Sequence, residues 1–511
     1  MQTGKTNSWK WIFAIAAVVA LSFIIVLWRL WPFWPDIDGT INLATGFVAP
    51  WSAMITGVCV LGLLYAISLF LKNSSTRPPL LHRVAVISLL FLLIILQSAL
   101  LSQAGNYLYF TAQTDYILPK LLVTDNGTHV QDVNAWSKLR RPRVLAHFRE
   151  EVYGKVPGKK LTVSYRVLDD TQDALGGKAH RKQMRITFTN GKKKCPVDVL
   201  MYIPVDSGKA VPAFLGMNFY GNQSIHKDPD IIITDAWTRN GFEFGIEDHR
   251  ATERSRGVRS HRWPVEYILS SGYALVTLYY GDLDPDYDDG FRNGIHALFH
   301  EENDAPEKDE WGSISAWAWG LSRVLDYLEK ETLIDAHRVI VMGHSRLGKT
   351  SLWAGAQDER FAMVISNESG CLGAALSRRK YGETVASITT EFPHWFCKNL
   401  DRYRNRENQM PVDQHMLIAL AAPRPVYVAS ADDDPWSDPR GEYLSAYHAG
   451  PVYRLYGMKG LTGKEMPKIE EPVFSRVGYH VRDGRHNVTM YDWEQFIRFA
   501  DMHLRKQGAS E

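Results

Sequence analysis

Cysteine is scarce in this chain, and the scarcity excludes a good deal. Four cysteines are spread over 511 residues. Cys59 falls inside an apolar run, where it reads as a small apolar filler. Cys195, Cys371 and Cys397 remain, so at most one disulfide is expected among them. A disulfide framework is excluded as the source of stability, and the length gives enough core to do without one. There is no C-x-x-C and no Cys/His cluster, so no metal is implied. An excess of one charge is missing too: 58 Lys and Arg face 56 Asp and Glu, for a net charge of +2. The two signs are interspersed. No basic stripe points to nucleic acid, and no acidic tail points to a disordered arm. Lys192-Lys193-Lys194 and Arg378-Arg379-Lys380 read as solvated loops. Internal repeats and low-complexity tracts are lacking.

Charge is most completely absent from the first hundred residues. Trp11 to Trp28, Ser52 to Leu71 and Val84 to Leu101 are apolar runs. Each is long enough for a helix crossing a hydrocarbon core, which takes about 20 residues. The expected spans are residues 11–30, 52–71 and 84–103. A cleaved signal peptide is the alternative for the first, but its length and the two runs behind it weigh against that. Lys5 and Lys10 precede the first span, and Lys72, Arg77 and Arg83 lie in the second loop. The first loop has Asp36 and Asp38 and no Lys or Arg. Positive loops stay cytoplasmic, so everything after the third span is expected outside the cytoplasm, in the periplasm of a two-membrane envelope. Arg29 is the residue at odds with this orientation. Trp28, Trp31, Trp34 and Trp51 fit an interfacial belt. The lipid bilayer is thus an expected partner of residues 1–104. Residues 105–160 read as a connecting arm, and 161–511 as a catalytic domain.

In the third part the pattern alternates. Gln183 to Thr189, Val197 to Ile203, Val211 to Phe219, Tyr273 to Tyr280, Val339 to Met342, Phe361 to Ser366 and Pro425 to Ser430 have the length and composition of strands. Trp311 to Glu331 is a helix with Ile314, Trp317, Leu321, Val324 and Leu328 on one face, and Tyr491 to Leu504 is a closing amphipathic helix. Asp438-Pro439 opens a helix between them. This order implies an α/β fold with a mostly parallel sheet. Residues 222–265 and 281–310 are irregular, polar insertions.

Gly343-His344-Ser345-Arg346-Leu347-Gly348-Lys349 follows the Val339 strand and leads into a helical segment. Strand, tight turn with a Ser, then helix describes a nucleophile elbow, although the second Gly comes one position later than in G-x-S-x-G. A Ser hydroxyl needs a His to take its proton and a carboxylate to orient that His. His486, in Gly484-Arg485-His486-Asn487, lies just before the closing helix and is favoured over His480. Glu368 and Asp434 both follow strands, and the sequence leaves open which of them holds the His. Arg346 directly follows the Ser, and its backbone N–H and guanidinium are both candidate donors to an oxyanion.

These motifs resemble the glucuronoyl esterases, carbohydrate esterase family 15. The elbow of that family reads G-C-S-R-x-G-K, and His344 in place of Cys resembles its bacterial branch. Val152-Tyr153-Gly154, Asn367-Glu368-Ser369-Gly370, Phe392-Pro393-His394-Trp395-Phe396, Ala422-Pro423-Arg424-Pro425 and the segment around His486 match in order, over residues 115–507. The resemblance implies an α/β-hydrolase fold, a three-layer sandwich, here placed after three transmembrane helices. It implies hydrolysis of (4-O-methyl)glucuronate esters in a saccharide substrate, without cofactor or metal. Ser345 is then the nucleophile, His486 the base and the Arg346 side chain an oxyanion donor. Glu368 and Asp434 match alternative acids, while Lys349, Glu383 and Trp436 match positions that contact the uronate. The same catalytic set would also serve an acetylxylan esterase or another carboxylic ester hydrolase. A non-catalytic sugar-binding ectodomain is the reading from another class, and the intact Ser, His and acids argue against it.

Overall fold

The long strands of this protein alternate two sets of apolar side chains, and each set meets a different layer of helices. The computed structural model describes residues 114–504, save 206–207 and 301–305. Nine strands form one sheet: β1 Thr162–Asp173, β2 Ala179–Asn190, β3 Lys193–Pro204, β4 Val211–Asn218, β5 Ala274–Tyr279, β6 Ile334–His344, β7 Met363–Asn367, β8 Val426–Ala431 and β9 Val477–Arg482. Their order is β1-β2-β3-β5-β4-β6-β7-β8-β9. The first three and the β3–β5 pair run antiparallel. From β5 to β9 every pairing is parallel. Parallel strands place their carboxyl ends on one edge, and loops from that edge carry ligand and catalytic groups.

Val339 and Val341 of β6 join one core with Ala213 and Leu215 of β4 and Val426 and Val428 of β8. Ile340 and Met342 point the other way, with Phe214, Tyr427 and Ala429. Five helices matter to the site or its support: α1 Arg141–Glu151, α2 Ser313–Leu328, α3 Arg346–Gln357, α4 Pro439–Leu455 and α5 Met490–Leu504. The first four contribute to the first core, through residues such as Phe148, Trp317, Trp353 and Tyr453. Helix α5 packs Trp493, Phe496, Phe499 and Ala500 into the second. Helices on both faces of the sheet make the three-layer α/β-hydrolase sandwich. Trp493 is fully buried and donates from Nε1 to the Arg262 carbonyl at 2.8 Å. Truncating it to Ala costs about 3–5 kcal/mol by the usual measure for a buried Trp.

The expected strands and helices are present with bounds moved by a few residues. Asp438 caps α4, its Oδ1 accepting from Gly441 N–H at 3.0 Å. Two strands of this sheet escaped the sequence pattern. Strand β1 is an edge strand, largely exposed, whose Arg166, Asp169 and Asp170 break any apolar alternation. Strand β9 is wholly buried yet contains Gly478, His480 and Arg482, so its polar positions read as loop. The cysteines Cys195, Cys371 and Cys397 are all free and buried. The three expected spans lie outside the described residues. Among the described residues no helix is long and apolar enough to cross a membrane.

Candidate active site

Strand β6 ends at His344 and α3 begins at Arg346, so the turn has a single residue in which to reverse. Ser345 takes φ 58° and ψ −130°. A non-glycine residue there is strained by about 1–3 kcal/mol, and it persists only where its surroundings hold it. Ser345 N–H donates to the Asn367 carbonyl at 2.9 Å, and the Ser345 carbonyl accepts from Gly348 N–H at 2.8 Å. A Cβ on Gly343 would collide with the Leu347 carbonyl, and one on Gly348 would press on Ser369 Cβ at 2.9 Å. The second glycine is therefore required at 348, where α3 passes the loop after β7, and not at 347.

His486 sits in the loop that joins β9 to α5. Its Nδ1 is 2.6 Å from Asp434 Oδ2 and 3.1 Å from Glu368 Oε2. Asp434 lies in the loop after β8, and that loop is stitched to the His486 loop. Asp432 N–H donates to the Arg482 carbonyl at 2.9 Å, and Asp433 N–H to the Gly484 carbonyl at 3.1 Å. Glu368 follows β7 with φ 46°. Its turn is held from beneath by Glu442 of α4, whose Oε1 accepts from Ser369 N–H at 2.7 Å and Gly370 N–H at 3.0 Å. Glu442 also accepts from Ser430 Oγ at 2.6 Å, and burial pushes its carboxyl up to about 8.

Arg482, at the end of β9, fastens these pieces together. Its Nη2 donates to Glu368 Oε1 at 2.5 Å and to the Arg485 and Asn487 carbonyls at 2.8 and 2.7 Å. Its Nε donates to Asp492 Oδ2 at 2.9 Å. The other oxygen of Glu368 accepts from Asn487 N–H at 2.9 Å. One guanidinium thus fixes both ends of the His486 loop and one of its two acids.

Burial alone would discharge all three members of this cluster. In His486 it opposes the imidazolium, but Asp434 and Glu368 outweigh it and raise the ring to about 9. Burial would raise Asp434, yet the adjacent His486 and the Ser437 hydrogen bonds hold it below the usual carboxylate range. Glu368 is pushed up to about 7 by burial, against the pull of His486 and Arg482. Asp434 is therefore the ionised near partner of the ring, and Glu368 the more reluctant second. With Nδ1 turned to the acids, Nε2 is the nitrogen left for the Ser345 hydroxyl. The His344 ring lies 4.4 Å from the His486 ring, centroid to centroid. Burial and the neighbouring His486 hold His344 well below its usual value, so it is a neutral wall beside the base.

Arg346 is buried under aromatic rings: its Cζ is 4.7 Å from the Trp395 centroid, 5.4 Å from Phe392 and 5.7 Å from Phe219. Nη1 pairs with Asp286 Oδ2. Nε is buried and donates to no protein atom. Lys349 is one turn further along α3. Its Nζ donates to the Ser369 and Cys371 carbonyls, each at 2.7 Å, and to Glu383 Oε2 at 2.8 Å. Trp436 is half-buried, and its carbonyl accepts from Glu383 N–H at 3.1 Å. The structure thus brings Lys349, Glu383 and Trp436 together, with the Lys protons already committed within the protein.

One atom each of His344, Glu368 and His486 lies close enough for metal ligation, all within 4.8 Å. His344 Nδ1 is bonded to Asn367 Oδ1 at 2.6 Å, His486 Nδ1 is bonded to Asp434, and the Arg482 guanidinium already occupies Glu368.

Known proteins resemble this chain over much of its length. The family model described as "Glucuronyl esterase, fungi" matches residues 267–457. Carbohydrate esterase MZ0003, from an unknown prokaryotic organism, is 48% identical over 405 residues, which is 79% of this chain and 93% of that protein. The chain belongs to carbohydrate esterase family 15. Among solved structures of the family, a glucuronoyl esterase from Solibacter usitatus is 46% identical with a TM-score of 0.72, covering 76% of this chain and 98% of its own. A promiscuous esterase of the family from a marine bacterial metagenome is 48% identical with the same TM-score of 0.72, over 76% of this chain and 98% of its own. Like its family, the chain is a carboxylic ester hydrolase of α/β-hydrolase fold.

Of the residues expected from sequence, Ser345, Arg346, Glu368, Asp434 and His486 converge at the carboxyl edge of the sheet. His480, the rival base, is fully buried and engaged elsewhere, with Nε2 2.9 Å from Asp492 Oδ1 and Nδ1 3.0 Å from the Tyr427 hydroxyl. Sequence reasoning missed Asp286, Arg482 and Glu442. Arg482 had a faint signal, a charged residue closing a segment next to the His loop. Asp286 sits among several acids in an irregular insertion, and nothing local distinguishes it from them.

Proposed function

We propose that this member of carbohydrate esterase family 15 hydrolyses the ester between a (4-O-methyl)glucuronate carboxyl and an alcohol, in plant-derived saccharides. The observation that carries the reading is His486 held by Asp434 and Glu368 beside a strained Ser345 elbow, with the Lys349–Glu383–Trp436 group next to it. Ser345 Oγ attacks the ester carbonyl as His486 Nε2 takes its proton. Negative charge grows on the carbonyl oxygen, where the Arg346 side chain and backbone N–H donate. His486 then protonates the departing alcohol, and water, deprotonated by the same ring, releases the uronate from Ser345. Glu383 is tied to Lys349 through Oε2, so its other oxygen is the acceptor for a sugar hydroxyl, and Trp436 offers an aromatic face to the pyranose. Names of relatives support the substrate, including the 4-O-methyl-glucuronoyl methylesterase 1 of Phanerochaete chrysosporium. The promiscuity of the marine relative favours a second reading, in which acetyl or other simple esters are also cleaved.

The test is hydrolysis of benzyl glucuronate beside an acetylated xylan oligomer, with Ser345→Ala as control. Uronate ester cleavage that vanishes in the variant supports the first reading. Acetate release alone leaves the triad and overturns the substrate. Residues 1–104 anchor the chain in a membrane by three helices and place the esterase outside the cytoplasm; the uncharged runs and the placement of Lys and Arg support this. Release of the esterase from membranes by alkaline carbonate would overturn the anchor.

A further inference from the structure

Arg346 does not hold itself in place. Its guanidinium meets Asp286, sixty residues earlier in the chain, and Asp286 is wholly buried. Four donors converge on that carboxylate. Oδ2 accepts from Arg346 Nη1 and from the Tyr280 hydroxyl at 3.0 Å. Oδ1 accepts from His394 Nε2 at 2.9 Å and from Trp395 Nε1 at 2.7 Å. Burial would raise its pKa, but Arg346 and His394 keep it well below the usual carboxylate range.

We propose that Asp286 is a positioning residue for the reaction: it grips Arg346 by Nη1 and so aims the uncommitted guanidinium N–H groups at the oxygen on which negative charge develops. The assignment rests on the esterase reading above. A guanidinium is planar, so one tethered nitrogen plus aromatic rings around the plane leaves no rotation free. Trp395 both packs against the guanidinium and donates to Asp286, so the tether and the packing are one assembly. Fixing Nη1 and the plane fixes the direction of the remaining N–H bonds. A guanidinium has five N–H donors and Asp286 takes one of them, so donors are left over, Nε among them. A donor kept so, next to a nucleophile, is suited to an acceptor that exists only during the reaction. The ion pair is also neutral overall, so the site keeps an aimed N–H without a bare cation that would hold the uronate product.

The experiment measures kcat and KM of the full chain on benzyl glucuronate. Asp286→Asn is expected to lower kcat by about 10²-fold, the scale of losing one oxyanion donor, with KM changed less than about twofold. Added guanidinium is expected to restore part of the activity of Arg346→Ala, where it docks on Asp286, and none in the Arg346→Ala/Asp286→Asn pair. A purely structural ion pair would not produce that difference. An Asp286→Asn enzyme with wild-type kcat, or equal rescue with and without Asp286, overturns the assignment. Should Asp286→Asn not fold, Tyr280→Phe removes a single donor from the same oxygen. A fall in kcat of a few-fold at constant KM then supports the assignment, and an unchanged kcat overturns it. If the wild type cleaves only the acetyl ester, the substrate reading fails while Asp286 is judged on that ester. A wild type inert to both overturns the esterase reading and this assignment together.

Discussion

His480 and His486 are six residues apart, each bonded to a carboxylate, yet one is part of the framework and the other part of the chemistry. His480 lies within β9, and both of its ring nitrogens are committed, to Asp492 and to Tyr427. His486 lies beyond the strand, and only Nδ1 faces its acids. A base must keep one nitrogen for the substrate, and a structural histidine must not. The pairing with an acid is common to both and distinguishes nothing. The two are also joined. Asp492 binds His480 and Arg482, and Arg482 binds Glu368, which reaches His486. A second path runs from Asp492 through Asn367 to His344, whose ring faces that of His486. The inner histidine braces the outer one.

The strongest test of this contrast exchanges each ring for a methyl. His486→Ala is expected to reduce kcat on a uronate ester by about 10⁴-fold or more, with Tm close to wild type. His480→Ala is expected to do the reverse. It leaves Asp492 and Tyr427 unpaired in the core and destabilises the fold by about 2–4 kcal/mol in urea unfolding, while the folded fraction keeps most of its kcat. If His480→Ala were the inert variant and His486→Ala the unstable one, the assignment would be inverted.

A smaller effect separates the two acids. Asp434→Asn is expected to cost about 10²–10³-fold in kcat, because the nearer and more acidic partner orients the ring. Glu368→Gln is expected to cost about tenfold, since its amide oxygen can still accept from Arg482 while its amide nitrogen loses the bond from Asn487 N–H. Equal losses would mean that the two share the role evenly.

The pH profile sharpens the same point. His486 must be neutral to accept the Ser345 proton, and its neighbours raise it to about 9. Therefore kcat/KM is expected to climb from neutral pH to about 9. Removing the Glu368 charge takes away one of the causes that favour the imidazolium. The acidic limb of the Glu368→Gln profile then moves to lower pH, and a limb that stays put or moves upward contradicts this electrostatic reading. The smallest effect belongs to Tyr427→Phe. Losing one hydrogen bond to His480 is expected to cost about 1 kcal/mol of stability in the same unfolding assay, with kcat unchanged.

The sequence made one histidine legible and only half of its setting. Ser345 was readable because strand, turn and helix are consecutive, and His486 because the base in this fold precedes the last helix. Both acids were readable as loop carboxylates after strands, but their distances to Nδ1 depend on three loops meeting. Arg482 reads as an exposed charge, because nothing local announces that Glu368 and Asp492 will converge on it. Asp286 and Glu442 are partners across about sixty to seventy residues of chain, from an irregular segment and from a helix face. Their roles are tertiary, and no periodicity reports them. The edge strand β1 was illegible for the opposite reason: with little to bury, it carries no pattern.

Gly348 has a consequence for how such enzymes are found. A search that demands glycine two positions after the serine would pass over this chain, because that position is Leu347. The backbone turns at Ser345 all the same, and the space is required one residue later, against Ser369. For hydrolases of this kind the better signature is the pair of places where two backbones touch. A spacing rule copies one solution to that crowding and discards the others.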